Sequence, residues 1–380
     1  QNPVLREEIY KMINWWLDKG IAGFRIDAII NIKKDLEWRS LPSDRDNGLV
    51  PVPESLVNAQ PIEPFLRELK ERTFAKYNAF TVGEVFNETD EELHFFIGKD
   101  GVFSSIFDFK QTMLGQEGKG WFDHSLPTAD ELKESIFQAH ERADSIGVLS
   151  TIIENHDEPR GVSHYIAEGP VNDTSKKALG TIQVLRKGIP FIYQGQEIGM
   201  ENQVFESVED FDDIATINGY HVAKEAGLSE EEALVAIAKY SRDNARTPMQ
   251  WSAEPGLGFS DGPAWLISPK PKVAINVEDQ EKDPNSILNY YRQLTALYRD
   301  PLYGNTIQFG DMIPAYRDRE NIIAFERRGD KRLLVISNFQ NRQATLELPA
   351  PIKTVVLNNT AGLFQEGDQV LELTPYQTIV

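Results

Sequence analysis

Short apolar runs alternate with longer stretches of mixed apolar and polar residues along most of the chain. Each run is no longer than a typical strand and too short for a helix of ordinary length. Five strands are therefore predicted, at residues 21–27, 79–85, 104–109, 147–154 and 189–193.

Between these runs, hydrophobic residues recur every three or four positions, which is typical of amphipathic helices. In the first such stretch, Leu5, Ile9, Met12, Ile13 and Trp16 share one face. The alternation of strands and helices indicates parallel βα units. The predicted helices lie at residues 3–19, 61–77, 130–145, 176–186, 229–241 and 285–298.

The pattern changes near residue 305. Short alternating runs, such as residues 322–326 and 333–337, are separated there by Gly, Asn and Asp. This spacing is typical of antiparallel strands, and it predicts a small β-sandwich. The expected organisation is an α/β domain at residues 1–304 followed by a β-sandwich domain at residues 305–380.

Composition narrows the classes of partner and site. The 380 residues carry a formal net charge of −20 and no cysteine. The acidic balance argues against nucleic acid and anionic membranes as partners, and the missing thiols exclude disulfides and cysteine-based metal sites. No apolar stretch is long enough to span a bilayer, and no secretory leader opens the chain, so we expect a cytoplasmic protein.

Three carboxylates close three of the predicted strands. Asp27, Glu84 and Asp157 each follow a short apolar run. Parallel barrels present catalytic groups at the carboxyl ends of their strands, and carboxylates acting together cleave glycosidic bonds. The order and position of these acids therefore indicate glycoside hydrolysis.

The neighbours of the acids suggest separate roles. Arg25 shares a strand face with Asp27 and would keep that carboxylate ionised, as a nucleophile requires. Glu84, among apolar residues, suits a proton donor, and Asp157 beside His156 suits binding of sugar hydroxyls. The alternatives are a structural ion pair for Arg25 and Asp27, a solvated strand end for Glu84 and a loop hydrogen bond at His156.

These segments resemble conserved blocks of glycoside hydrolase family 13, the α-amylase superfamily. Residues 23–27 (Gly-Phe-Arg-Ile-Asp) resemble its nucleophile strand, residues 82–84 (Val-Gly-Glu) its acid/base strand and residues 155–157 (Asn-His-Asp) its third-acid strand. The resemblance implies that Asp27 is the nucleophile and Glu84 the acid/base. It also implies a (β/α)8 TIM barrel followed by an antiparallel β-sandwich.

Residues 14–20, 194–200 and 241–251 narrow the resemblance to the oligo-1,6-glucosidase and α-glucosidase branch. The branch implies a retaining exo-α-glucosidase that releases glucose from the non-reducing end of short oligosaccharides through a covalent glucosyl-enzyme intermediate. It assigns Arg246 to the terminal glucose, with a structural salt bridge as the alternative. Ala28 replaces the valine associated with strict α-1,6 cleavage, which favours α-1,4 or mixed use.

Other members of the same branch give alternative functions. Sucrose isomerases carry an arginine-rich loop signature that has no convincing counterpart here. Phosphotrehalases require cations at the pocket rim, and Lys33, Lys34 and Arg45 are available in a long polar loop predicted at residues 31–60, where they also suit a solvated face. A catalytically silent module like the heavy chains of amino-acid transporters is the non-enzyme alternative, which the intact acids disfavour.

The family barrel has eight strands, whereas five are predicted here. The chain resembles strands four to eight, so we expect the C-terminal two-thirds of a longer enzyme. The resemblance implies no required cofactor and no metal ligand in this chain; a calcium site known in many relatives would lie in the N-terminal portion. The expected partner is a small oligosaccharide. Linkage preference, chain-length preference and oligomeric state stay open.

Overall fold

The computed structural model describes residues 2–32, 34–37, 39–43, 48–50, 59, 61–86, 88–116, 120–266, 270–362 and 364–380. The chain forms two compact units. The first comprises Gln1–Asp108 with Glu141–Ser150, and the second comprises Phe109–His140 with Thr151–Val380. The domain boundary expected near residue 304 stays a prediction.

Parallel strands organise the first unit. They are β1 (Gly23–Ile26), β2 (Phe80–Gly83), β3 (Ser105–Phe107) and β4 (Leu149–Thr151), and they pair in this order. Each lies inside a predicted run and is shorter than predicted. The register pairs Arg25 of β1 with Val82 of β2, which places the ends of these two strands at the same level.

Helices connect these strands. They are α1 (Pro3–Asp18), α2 (Glu63–Arg72), α3 (Phe74–Tyr77) and α4 (Asp90–Ile97), followed by α5 (Ala129–Ala143), which ends in this unit. The side chain of Asn2 caps α1, and Pro3 occupies its first turn, as the sequence predicts. The helix predicted at residues 61–77 is instead broken at Thr73, whose backbone leaves the helical region and whose hydroxyl binds the Leu69 carbonyl oxygen.

The apolar face predicted on α1 is mostly exposed. Ile13 is buried and packs with Leu17 and Phe74, whereas Leu5 is 59% and Met12 50% exposed. The part of the chain that the structure describes covers only the side of α1 that carries Ile13 and Leu17.

The second unit includes Thr151, the last residue of β4. The Thr151 carbonyl oxygen accepts a hydrogen bond from the Phe191 amide, which follows β5 (Ile189–Pro190), the last of the five predicted parallel strands. The side chain of Ser229 and Glu232 form the predicted capping box at the start of α9. The remaining helices are α6 (Gly161–Tyr165), α7 (Asp173–Leu185), α8 (Ile214–Glu225), α9 (Glu230–Ala238), α10 (Asp243–Arg246), α11 (Val277–Lys282), α12 (Ile287–Tyr298) and α13 (Gly304–Phe309).

Antiparallel sheets follow these helices, as the sequence predicts. One sheet has the strand order β11-β8-β7-β6, and the other pairs β10 with β9. Their inward side chains, including Ala324, Ile336, Leu346 and Leu371, form one apolar cluster, so the two sheets pack face to face. The strands are β6 (Asp311–Ala315), β7 (Ile322–Arg328), β8 (Arg332–Asn338), β9 (Ala344–Glu347), β10 (Val370–Leu373) and β11 (Thr378–Ile379).

Within the described residues, none of the helices has both the length and the apolar character needed to cross a lipid bilayer.

His164 makes the stability of the second unit depend on pH. It is buried, and neither ring nitrogen has a hydrogen-bond partner among the described residues. Burial lowers the pKa of His164 to about 4, and the nearby His124 acts in the same direction. In the unfolded chain His164 therefore binds a proton near pH 6.5, whereas in the folded chain it binds one only near pH 4.

We expect His164 to remove about 3 kcal/mol from the free energy of unfolding as the pH falls from 6.5 to 4. In His164→Phe this loss should disappear, as measured by urea denaturation across that pH range. His221→Gln, at an exposed histidine, is the control and should follow the unmodified protein. Equal acid sensitivity of all three proteins would contradict the prediction.

Candidate active site

Asp27 directly follows β1, and its side chain is 74% exposed. Arg25 lies two residues earlier, so both side chains project from the same side of the strand. The Arg25 Nη1 atom lies 2.5 Å from Asp27 Oδ1. The guanidinium contacts one carboxylate oxygen, and the exposure of the side chain lets the second oxygen face a ligand.

Glu84 directly follows β2 and is almost completely buried, with a side-chain exposure of 6%. Its Oε2 atom accepts hydrogen bonds from Arg25 Nη2 at 2.6 Å and from the Ala28 amide at 2.8 Å. The sequence led us to expect apolar neighbours for Glu84. The structure gives it two N–H donors instead, because the register of β1 and β2 brings Arg25 within reach.

Arg25 therefore contacts both candidate catalytic acids of the first unit, Asp27 and Glu84. Its two terminal nitrogens bind one carboxylate each, and the planar guanidinium fixes the direction of both contacts. The sequence predicted the contact with Asp27 and missed the contact with Glu84. Only the strand register could have revealed the second one.

Ala28 has a left-handed backbone, with a φ of 39°. Residues with a side chain pay about 1–2 kcal/mol for this conformation. The turn lets the Ala28 amide reach Glu84, so the backbone after Asp27 contributes directly to the position of the second acid.

Asp157 is the best-connected carboxylate of the second unit's loop after β4. Its Oδ1 atom lies 2.7 Å from Arg246 Nη2 and 3.1 Å from Arg242 Nη1, and its Oδ2 atom lies 3.1 Å from His156 Nε2. The Asn155 Oδ1 atom accepts a hydrogen bond from the Asp157 amide, which stabilises the local turn. The structure therefore groups the three residues predicted in this unit, His156, Asp157 and Arg246.

Arg242 is a site residue that the sequence reading missed. Its Nε atom lies 3.0 Å from Asp213 Oδ1, so the side chain links Asp157 to the N-cap of α8. Arg242 precedes Arg246 by four residues, the spacing that places two side chains on one helix face. That spacing was the available signal.

Arg246 also contacts the backbone of the loop. Its Nε atom donates to the His156 carbonyl oxygen at 2.9 Å, in addition to the ion pair with Asp157. Tyr193 supports α10 from the other side, donating its hydroxyl to the Ala245 carbonyl oxygen at 3.0 Å. The structural salt bridge considered for Arg246 is thus present, and the bridge is made to Asp157 itself.

Glu158 follows Asp157 and was not singled out in the sequence. Burial raises the pKa of Glu158 to about 7, and the negative charge of Asp157 acts in the same direction, while Arg242 opposes both. The loop thus carries one acid, Glu158, that holds its proton up to about neutral pH.

Of the three cations considered for phosphate binding, the structure describes Lys34. Lys33 and Arg45 lie outside the described residues. Lys34 donates to the Asn31 carbonyl oxygen at 2.9 Å, and Arg39 in the same segment is paired with Glu37 and Asp35. Among the described residues, no group of three or more His, Asp or Glu side chains is arranged to hold a metal ion.

The sequence of residues 1–302 matches the family described as alpha amylase, catalytic domain, and residues 322–380 match the SusG C-terminal domain of α-amylases. The first match spans well over half of the chain. The chain belongs to the α-amylase family of glycoside hydrolases.

Similar proteins include two hydrolases and an isomerising enzyme. Probable oligo-1,6-glucosidase 3 of Bacillus subtilis is 36% identical, over 99% of this chain and 68% of its own length. Among solved structures, trehalose-6-phosphate hydrolase of Bacillus licheniformis superposes with a TM-score of 0.87 at 31% identity, and isomaltulose synthase of Klebsiella sp. LX3 with a TM-score of 0.90 at 27% identity. Both alignments cover 100% of this chain and 68% of the other.

Glu158 gives this α-amylase family member a second pH-dependent contribution, of opposite sign to that of His164. Between pH 4.5 and 7 the folded chain holds a proton on Glu158 that the unfolded chain releases, so stability falls as the pH rises through this range. In the unmodified protein, Glu158 should lower the free energy of unfolding by up to about 3 kcal/mol as the pH rises through this range. In Glu158→Gln this decrease should be absent.

Urea denaturation at pH 5 and pH 8 measures this contribution. Exposed Glu168→Gln is the matched control and should retain the full difference between the two pH values. The prediction fails when Glu158→Gln and Glu168→Gln lose the same free energy between pH 5 and pH 8.

Proposed function

We propose that this protein is a retaining exo-α-glucosidase that releases glucose from the non-reducing end of short α-1,4- and α-1,6-linked gluco-oligosaccharides. The observation that carries the proposal is the pair of acids at the ends of adjacent parallel strands, Asp27 and Glu84, bound by one arginine. Membership of the α-amylase family and the similarity to oligo-1,6-glucosidases support the substrate class.

In the first step, an Asp27 carboxylate oxygen attacks the anomeric carbon, and the glycosidic bond breaks as Glu84 protonates the departing oxygen. In the second step, Glu84 takes a proton from water, and the resulting oxygen attacks the anomeric carbon and releases Asp27 with overall retention. The exposed oxygen of Asp27 suits the attack. Arg25 stabilises the charge that returns to Asp27 when the glucosyl bond breaks.

Glu84 must carry a proton before it can act as the acid. In the free protein its Oε2 atom accepts hydrogen bonds from the Arg25 guanidinium and from the Ala28 amide. Formation of the ester at Asp27 removes one negative charge from Arg25. The guanidinium can then bind Glu84 alone and hold it in place while it takes a proton from water.

Asp157, His156 and Arg246 bind hydroxyl groups of the glucosyl residue in this proposal. Two arginines and an imidazole contact Asp157, so donors of Arg246 and His156 lie beside the same carboxylate. Carboxylates hydrogen-bonded to sugar hydroxyls strengthen their contacts as the ring distorts towards the transition state.

Relatives of this chain give two alternatives within the family. Phosphate-bearing disaccharides are the first, since trehalose-6-phosphate hydrolase is a structural neighbour. Lys34 and Arg39, however, are already bound to oxygen atoms of their own segment, which argues against a phosphate at this rim. Sucrose isomerisation, suggested by the isomaltulose synthase neighbour, shares the covalent step and differs in the acceptor. A silent module is disfavoured because all three acids are present with their supporting cations.

Four further expectations about fold, domain boundary, location and cofactor extend the proposal. We propose that the parallel strands belong to an eight-stranded barrel, consistent with the 68% coverage of the relatives and with the exposed apolar face of α1. We also propose a boundary to the β-sandwich domain near residue 304, a cytoplasmic location and a reaction that needs no cofactor.

Asp27→Asn and Glu84→Gln test the chemistry in the full-length protein. With maltose, each should lower kcat by at least about 1,000-fold, because one variant lacks the nucleophile and the other the acid. With p-nitrophenyl α-glucoside, Glu84→Gln should lose much less in the bond-breaking step, since nitrophenolate departs without a proton. Glucose release and the nitrophenol burst measure the two cases.

Arg39→Gln is a suitable control, because Arg39 lies in the exposed segment and contacts neither acid of the proposed pair. Unchanged kcat in Asp27→Asn would refute the proposed mechanism.

Ala28→Val tests the linkage preference. A bulkier side chain next to Asp27 should raise the ratio of kcat/KM for isomaltose over maltose by about 10-fold, since changes of one or two methyl groups in a pocket alter transition-state binding by about 1–3 kcal/mol. Initial rates with both disaccharides measure the ratio. An unchanged or reversed ratio would remove residue 28 as a determinant of linkage.

A further inference from the structure

Glu154 and Arg160 form a buried ion pair at the base of the loop that carries Asp157. Their side chains are 0% and 1% exposed, and Arg160 Nη1 lies 3.0 Å from Glu154 Oε1. The proposed mechanism uses neither residue. Burying two charges costs several kcal/mol, which the pair recovers only with good geometry and further hydrogen bonds.

Those further hydrogen bonds close the loop. Glu154 Oε2 accepts the Gly161 amide at 2.6 Å, so the carboxylate binds both Arg160 and the residue after it. Gly161 must be glycine here, because a Cβ atom would lie 2.7 Å from the Ile153 carbonyl oxygen. Residues 155–159 are thus held at both ends by one carboxylate, and Asp157 is the middle residue of this segment.

Arg160 is also connected, through Tyr193, to the helix that carries Arg246. Its guanidinium donates to the Gln194 carbonyl oxygen at 2.8 Å and lies 5.4 Å from the centre of the Tyr193 ring. The Tyr193 hydroxyl in turn binds the Ala245 carbonyl oxygen, next to Arg246. One guanidinium therefore contacts both the loop of Asp157 and the residue that supports α10.

We propose that Glu154 and Arg160 are a positioning pair that sets the distance between the Asp157 carboxylate and Arg246. The inference rests on the proposed function, because it assigns the pair to the residues that bind the glucosyl ring. Ion pairs of this kind add little to stability compared with apolar residues of similar volume, and a role in fixing one geometry accounts for their presence.

A double-mutant cycle between Glu154→Gln and Asp157→Asn tests the proposal. Glu154→Gln keeps the shape of the side chain but turns an amide N–H towards Arg160 or Gly161. We expect kcat/KM for maltose to fall about 10- to 100-fold, as displacement of a binding group by about 1 Å does. In the Asp157→Asn background the same change should cost less than about 3-fold, because the residue being positioned is already disabled.

Glu326→Gln is the matched control. Glu326 is a buried carboxylate between Arg328 and Arg332 in the β-sheet of β6–β8 and β11, and it has no contact with Asp157. Its substitution should change kcat/KM by the same small factor in both backgrounds. Equal losses from Glu154→Gln with and without Asp157→Asn would show a general structural role and overturn the proposal. Arg160→Lys replaces Glu154→Gln in the cycle if the latter does not fold.

The crystal structure of Glu154→Gln separates this inference from the proposed function. Failure of the unmodified protein to act on maltose or isomaltose would overturn the function without affecting the positioning role. In that case an Arg246–Asp157 distance kept at 2.7 Å in the variant would overturn the positioning role, and a broken contact would support it.

Discussion

The contact on which the proposed chemistry depends is one guanidinium that binds two carboxylates. Arg25 reaches Asp27 along its own strand and Glu84 across the parallel pair of β1 and β2. Two acids with different tasks need different environments, and here they differ in exposure, with Asp27 open and Glu84 buried. The shared arginine links the two acids, because one planar guanidinium contacts both carboxylates.

The loop after β4 also combines carboxylates and guanidinium groups, but there several cationic or imidazole side chains share one carboxylate. There, two guanidinium groups and an imidazole surround one carboxylate, Asp157. In the same loop, Glu154 and Arg160 are paired, and both side chains are almost completely buried. Strong electrostatic contacts in such surroundings need little rearrangement during a reaction, which is the general advantage of preorganised polar sites.

The sequence predicted the five parallel strands well, because each strand depends on a local apolar pattern. All five parallel strands lie inside the apolar runs, and the Ser229 capping box forms as expected. The contact between Arg25 and Glu84 and the role of Arg242 were missed, since both depend on which strands and helices become neighbours. The break at Thr73 and the exposed face of α1 were missed for a related reason: amphipathic spacing shows that a helix has an apolar face without showing what covers it.

The left-handed turn at Ala28 has a consequence for how this enzyme could evolve. Residue 28 follows Asp27, the proposed nucleophile, and its amide donates to Glu84, the proposed acid, through a hydrogen bond of 2.8 Å. Selection for a different glycosidic linkage and selection for catalytic rate would therefore both act on residue 28. Adaptation to a different sugar substrate would lower the catalytic rate unless a second substitution elsewhere in the chain restored the alignment of that peptide group.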